Sequence, residues 1–251
     1  MVRFMRHERW RDALFVHFPV DAEALQERLP AGLIVDKHAG VAYVGVVLLT
    51  EGGIVPLPPG VPLWMVAWLG LTHHAVNVRT YVRPAESAGP PGIFFFTLDC
   101  SALLPTVGAK ALFNLPYRYA RMRRRLDGDT HFLESARRRS NVCVAAEWKA
   151  DGEPSGADAA LATFFVERYA LYNRPGPVLR CIMPRHSRLW TGSITHAPWP
   201  VQRARLMAYG GFCSKDGVLS ALGLSELVQG ACVAHMSSGV GPIEFFWSGA
   251  A

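Results

Sequence analysis

The chain has 251 residues, a formal net charge of +6, 50% hydrophobic residues and 18% charged ones. This balance excludes a disordered chain and predicts a large buried interior; without repeats or compositional breaks, residues 1–251 read as a single domain. Pro, Gly, Arg or His interrupts every hydrophobic run short of the roughly 18 residues that a membrane span needs, and the Arg-rich start, Met1 to Arg11, lacks the apolar core and cleavage site of a secretory signal, so a cytoplasmic protein is expected.

In chain order, Asp21 reads as the N-cap of a short helix closed by Pro30. Gly40 to Leu49 reads as a buried strand, and Gly52 to Pro62 as a loop, because its Pro and Gly residues cannot sustain a ladder. Val76 to Val82 alternates, with Asn77, Arg79 and Tyr81 on one side, and turns back through RPAESAGPPG into Ile93 to Leu98 as an antiparallel hairpin. A helix is expected through Ala102 to Phe113. Pro116 opens a strand ending at the Asp127-Gly128-Asp129 turn, and the chain returns through His131 to Ala146. Strands are expected at Ala162 to Leu171, Ala231 to His235 and Ile243 to Trp247, a helix from Ala197-Pro198-Trp199-Pro200 to Gly210-Gly211, and a short turn near Leu219. The pattern is mainly antiparallel β, of α+β class, with a few peripheral helices.

The five cysteines, Cys100, Cys143, Cys181, Cys213 and Cys232, are widely spaced without a C-x-x-C pair, which predicts buried free thiols. His73 and His74 are adjacent and so point to opposite faces of a strand; no metal and no cofactor is expected. Eight arginines against Asp127, Asp129 and Glu134 lie between Tyr117 and Arg139. This basic hairpin has the composition of a phosphate-binding surface, but no recognised nucleic-acid module accompanies it, and a solvated or edge-protecting face is the expectation.

Six strings occur in order: RWRDALFVHFPVDAEALQERLPAGL, NVRTYV, FFFTLD, LPYRYARM, FFVERYALY and HAPWPVQRA. Together they resemble the YqjF-like family of uncharacterised proteins, a branch of the acetoacetate decarboxylase-like superfamily, over nearly the whole chain. The resemblance implies a cone-like, partly closed β barrel with an interior small-molecule site. It also implies a Schiff-base Lys after a Pro; here Leu115-Pro116-Tyr117-Arg118 carries Tyr117 and Arg118, neither of which forms an imine. Ala75 stands where the pattern keeps a Glu, and Lys110 reads as a surface residue, so Schiff-base decarboxylation is not expected.

The candidate ligand-binding residues are Asn77, Arg79, Tyr81, Arg118 and Tyr169. If the Asn77 face is inward, Arg79 clamps a carboxylate. Strand parity favours an inward Arg118, whereas the resemblance favours Tyr117, and the choice stays open. Glu167 reads as the partner of an interior Arg such as Arg79, or as a general acid or base. With His196, His235 and Tyr117, it completes the candidate catalytic set. The expectation is a protein that binds or converts a small carboxylate or carbonyl compound by acid–base chemistry of lyase or hydratase type. The alternatives are a non-catalytic ligand-binding or sensing protein, and an interaction or nucleic-acid-binding protein using hairpin 117–139. No membrane partner is expected, and a homo-oligomer is compatible with the sequence.

Overall fold

The computed structural model describes residues 2–57, 70–86, 89–102, 115–138, 140–173 and 190–250. Its strands in chain order are β1 (Val2–His7), β2 (Arg9–Val20), β3 (Leu33–Val35), β4 (Ala42–Pro56), β5 (Leu71–Pro84), β6 (Gly92–Cys100), β7 (Tyr117–Asp127), β8 (Thr130–Arg137), β9 (Cys143–Ala150), β10 (Ala170–Asn173), β11 (Trp190–Thr195), β12 (Val201–Gly210), β13 (Val233–Val240) and β14 (Ile243–Ala250). Two helices, α1 (Ala22–Glu27) and α2 (Gly156–Val166), accompany them.

The pairings close the sheet into two rings that share a wall of β4, β5 and β6. In the first ring β4 pairs with β1, β1 with β14, β14 with β11, β11 with β10 and β10 with β6. The second runs from β6 through β7, β8, β9, β12, β13 and β2 back to β4. Because side chains alternate along a strand, each face of the shared wall feeds a separate core. Val44, Val46, Leu48, Val76 and Val78 enter the second ring with Trp148, Leu133 and Leu25 of α1. Tyr43, Val47, Leu49, Ala75 and Tyr81 enter the first with Phe15, Phe165 and Phe245.

Asp21 caps α1 as expected, its carboxylate accepting from the Glu23 and Ala24 amides at 3.0 and 2.8 Å. Other expectations need correction. The Gly52 to Pro62 loop is strand as far as Pro56; the Gly residues make a bulge between Glu51 and Ile54, with Gly53 at φ +62°. Residues 58–62 and the Ala102–Phe113 helix beyond Ala102 lie outside the described residues. His131 to Ala146 is two strands, β8 and β9. Of Ala162 to Leu171 only Ala170 and Leu171 are strand, the start of β10; the first part belongs to α2, where the Ala-rich run GADAALA favours helix and only the aromatic TFFV end imitates a strand. The Ala197–Gly210 helix is instead β12, in which Arg203, Arg205 and Met207 point out while Ala204 and Leu206 pack on the core, a period of two. Cys143 and Cys213 are exposed, not buried.

Candidate functional site

The interior face of the first ring carries a run of polar residues at successive inward positions. On β5 these are His73, Asn77, Arg79 and Tyr81; on β4, Glu51; and on β2, His17. Register sets them side by side: Glu51 opposite His73, Leu49 opposite Ala75, Val47 opposite Asn77, and Gly45 between His17 and Arg79. Ala75 faces Cys100 of β6, so the smallest side chains separate the two polar ends.

At the first end, buried Glu51 lies 3.4 Å from His7 Nδ1 and 3.8 Å from His73 Nε2. Trp10 Nε1 donates to His7 Nδ1 at 2.9 Å. An indole N–H only donates, so Nδ1 is the acceptor and the proton of the neutral ring is assigned to Nε2. Burial lowers His7 to about 3, helped by His73, and lowers His73 to about 4, helped by His74; the same burial raises the Glu51 carboxyl to about 7. Two neutral imidazoles therefore flank a carboxyl that exchanges its proton near neutrality. Tyr117, at the head of β7 opposite Leu98, lies within electrostatic reach of this group: burial, then the charges of Glu51 and Cys100, push its phenol well above the usual range. Its hydroxyl stays protonated and can donate. Arg118, one residue on, is exposed at the start of the strand although it shares the parity of buried Ala120 and half-buried Met122, so the inward position that parity gave it is not observed.

At the second end, His17 Nε2 and the Tyr81 hydroxyl are 2.6 Å apart, and the His17 ring stacks on Phe165 at 3.5 Å between centroids. Arg79 Nη2 donates to the Phe165 carbonyl at 2.9 Å, with its guanidinium over the Phe15 and Tyr81 rings. Among the described residues several buried polar atoms here have no hydrogen-bond partner: Arg79 Nε, Asn77 Oδ1, and at the other end His7 Nε2 and both nitrogens of His73. Unpaired polar atoms of this kind are costly unless something fills them.

The remaining candidates lie elsewhere. Glu167 does not pair with Arg79; it ends α2, accepts from the Tyr169 hydroxyl, and accepts from the Trp199 amide at 2.9 Å. The strand parity assumed for Phe165, Glu167 and Tyr169 fails because helix, not strand, precedes Glu167. Arg168 takes the structural pairing instead, 2.8 Å from Asp36. His196 bonds its neighbour's carbonyl, Ala197 O, at 2.7 Å and lies against Tyr169 and Trp10. His235 is fully buried and tied to Asp158 of α2 at 3.1 Å, with burial holding it below its ordinary range. Arg121, Arg123 and Arg125 of the basic hairpin point outward.

Among the described residues no lysine reaches the interior face: Lys37 and Lys215 are exposed, and Lys149 is on the outward side of β9 beside buried Trp148. No described cluster of His, Cys, Asp or Glu is arranged to hold a metal ion. Sequence reasoning missed Glu51, His7 and His73 as a group. The signal was present in the parity of Val47, Leu49 and Glu51, a carboxylate continuing an apolar face, but it requires the strand to run past Leu49.

The profile of the DUF2071 family, uncharacterized conserved proteins, matches residues 7–241. The chain is 29% identical over 207 residues to the uncharacterized protein YqjF of Bacillus subtilis, covering 80% of this chain and 76% of that one. The fold is that of acetoacetate decarboxylase from Legionella pneumophila (TM-score 0.65, 12% identity, 99% of this chain and 87% of that one). It is also that of the enduracididine biosynthesis enzyme MppR complexed with pyruvate (TM-score 0.59, 13% identity, 98% and 89%). No described helix is long and apolar enough to cross a membrane.

Proposed function

The chain belongs to the DUF2071 family, and from that premise we propose that it binds a small carboxylate or carbonyl compound inside the first ring and acts on it by proton transfer, without an imine. One observation carries this reading: Glu51, its carboxyl raised to about 7, is buried between two neutral imidazoles and within electrostatic reach of the Tyr117 phenol. A general base works best when its pKa lies near the working pH. Glu51 takes a proton from the carbon next to the carbonyl, and Tyr117 donates a hydrogen bond to the enolate oxygen. Arg79 Nε, a donor without a partner among the described residues, supplies the polar contact for the carboxylate end of the ligand. That MppR was obtained with pyruvate bound supports a small 2-oxo acid as the starting class.

The test is exchange of the C3 protons of 2-oxobutyrate in D2O, followed by proton NMR. Exchange that falls at least a hundredfold in Glu51→Gln is the expected result. Binding without exchange would leave a sequestering or sensing protein, the reading that Ala75 at the family's Glu position favours. Borohydride treatment with 2-oxobutyrate should leave the intact mass unchanged; a trapped adduct would overturn the imine-free mechanism.

A further inference from the structure

The shared wall forks at the outer edge of β6. Towards its start, Ile93 pairs with Leu171 of β10, which belongs to the first ring. Towards its end, Leu98, Asp99 and Cys100 pair with Tyr117, Arg118 and Tyr119 of β7, which belongs to the second. Between these, residues 94–97 have no strand partner on this edge among the described residues. At about 3.3 Å per residue that is a break of roughly 13 Å in the ladder that the described residues form on this edge.

A cavity of about 520 Å³ occupies the fork. Its lining includes Phe95, which packs in the first ring's core, and Phe96, which packs in the second's. It also includes both Tyr117 and Arg118, consecutive residues that point to opposite sides of β7. The cavity therefore borders both sides of the outer edge of β6 and the head of β7, from exposed Arg28 and Arg118 to Phe95 and Tyr117.

We propose that this break is the ligand's route to the interior site, and that it selects a carboxylate bearing an apolar chain or ring over a fully polar one such as pyruvate. The inference rests on the interior-site reading above and adds the route and the substrate class to it. The chemistry follows from the lining. Two arginines at the mouth attract an anion, since guanidinium matches a carboxylate. Behind them, Phe94, Phe95 and Phe96 offer an apolar surface that a polar keto acid cannot use.

Fluorine NMR line shapes of 4-fluorophenylpyruvate with the full chain give its association and dissociation rates. Pyruvate and 2-oxohexanoate, added as competitors, give the dependence on the tail. The expected affinity rises at least about tenfold from pyruvate to the six-carbon and aromatic acids. Phe96→Trp, which narrows the passage, should slow association and dissociation together by about tenfold or more with Kd nearly unchanged, a result that loss of a contact or of packing would not give. Exposed Arg118→Gln should slow association alone and weaken its salt dependence. If the acids bind and respond to Glu51→Gln, but Phe96→Trp leaves both rates alone and the tail has no effect, the route and class are overturned while the interior site stands. If none of the acids binds, the interior reading fails and takes the route with it.

Discussion

A carboxyl held near neutrality inside a protein opposes folding whenever it ionises. Glu51 has an ordinary value of 4.5 and about 7 in the fold, so the folded state prefers its protonated form. The associated stability is fully present below about pH 4.5 and is lost as pH rises through 7, a difference of roughly 3 kcal/mol. Glu51→Gln should therefore raise Tm at pH 8 by several degrees and change it little at pH 4.5. An equal shift at both pH values would show that Glu51 does not titrate where its burial implies. His7 and His73 run the other way. Their values fall from 6.5 to about 3 and 4, so their contribution is complete above pH 6.5 and disappears as pH falls through those lower values. The residue scale also explains Gly45: a Cβ there would sit 2.9 Å from the His17 ring, which is wedged between Tyr81 and Phe165. Gly45→Ala should cost about 1–3 kcal/mol in urea unfolding through overpacking. Of these residues the sequence singled out only Tyr81; His17 and Gly45 read as ordinary strand residues, and only register brings the three together.

Elements are tied to one another by buried charge as well as by ladders. Arg137 of β8 reaches Asp99 of β6 through Nε at 2.8 Å, while its Nη2 donates to Thr97 at 3.1 Å, and both charged side chains are almost wholly buried. This bond crosses β7 and fixes the point where the second ring leaves the shared wall. Removing one partner of such a pair leaves the other charge in the interior, so Arg137→Ala should cost about 3–5 kcal/mol. The double variant Arg137→Met with Asp99→Leu should recover much of it; a double variant as weak as the single would mean that the geometry, not the stranded charge, is what matters. At this scale the sequence was legible where one physical signal acted alone. The Asp21 cap located α1, and the alternation around Asn77 located β5 and its hairpin with β6. It was misleading where two signals competed. In α2, Ala-rich helix propensity precedes an aromatic end that looks like strand; in β12, Pro198 and Pro200 suggest a helix start, yet the alternation of Arg203, Arg205 and Met207 decides for strand.

For the whole molecule, the antiparallel character could be read from alternation and turns, but ring closure could not, because it depends on contacts between the two ends of the chain. β1 pairs with β14 at five positions and with β4 at two, and these pairs close the first ring. It also delivers His7 to Glu51, so closure and assembly of the candidate site are one event. Deleting residues 1–7 should therefore do more than His7→Ala. The point variant leaves Trp10 Nε1 and Glu51 short of a partner, worth about 1–3 kcal/mol, but keeps both ladders. The truncation opens one ring and leaves the other intact, so amide hydrogen exchange should become polarised. β14, β11 and β10 should lose protection, while β7, β8, β9 and β12, which close through β13 and β2, should keep it. Uniform loss across both sets would mean that the rings unfold as one unit and that the shared wall does not insulate them. Polarised loss, accompanied by a Glu51 titration moved towards its ordinary value, would show that the first ring is a separate cooperative unit that holds the site's carboxyl out of water.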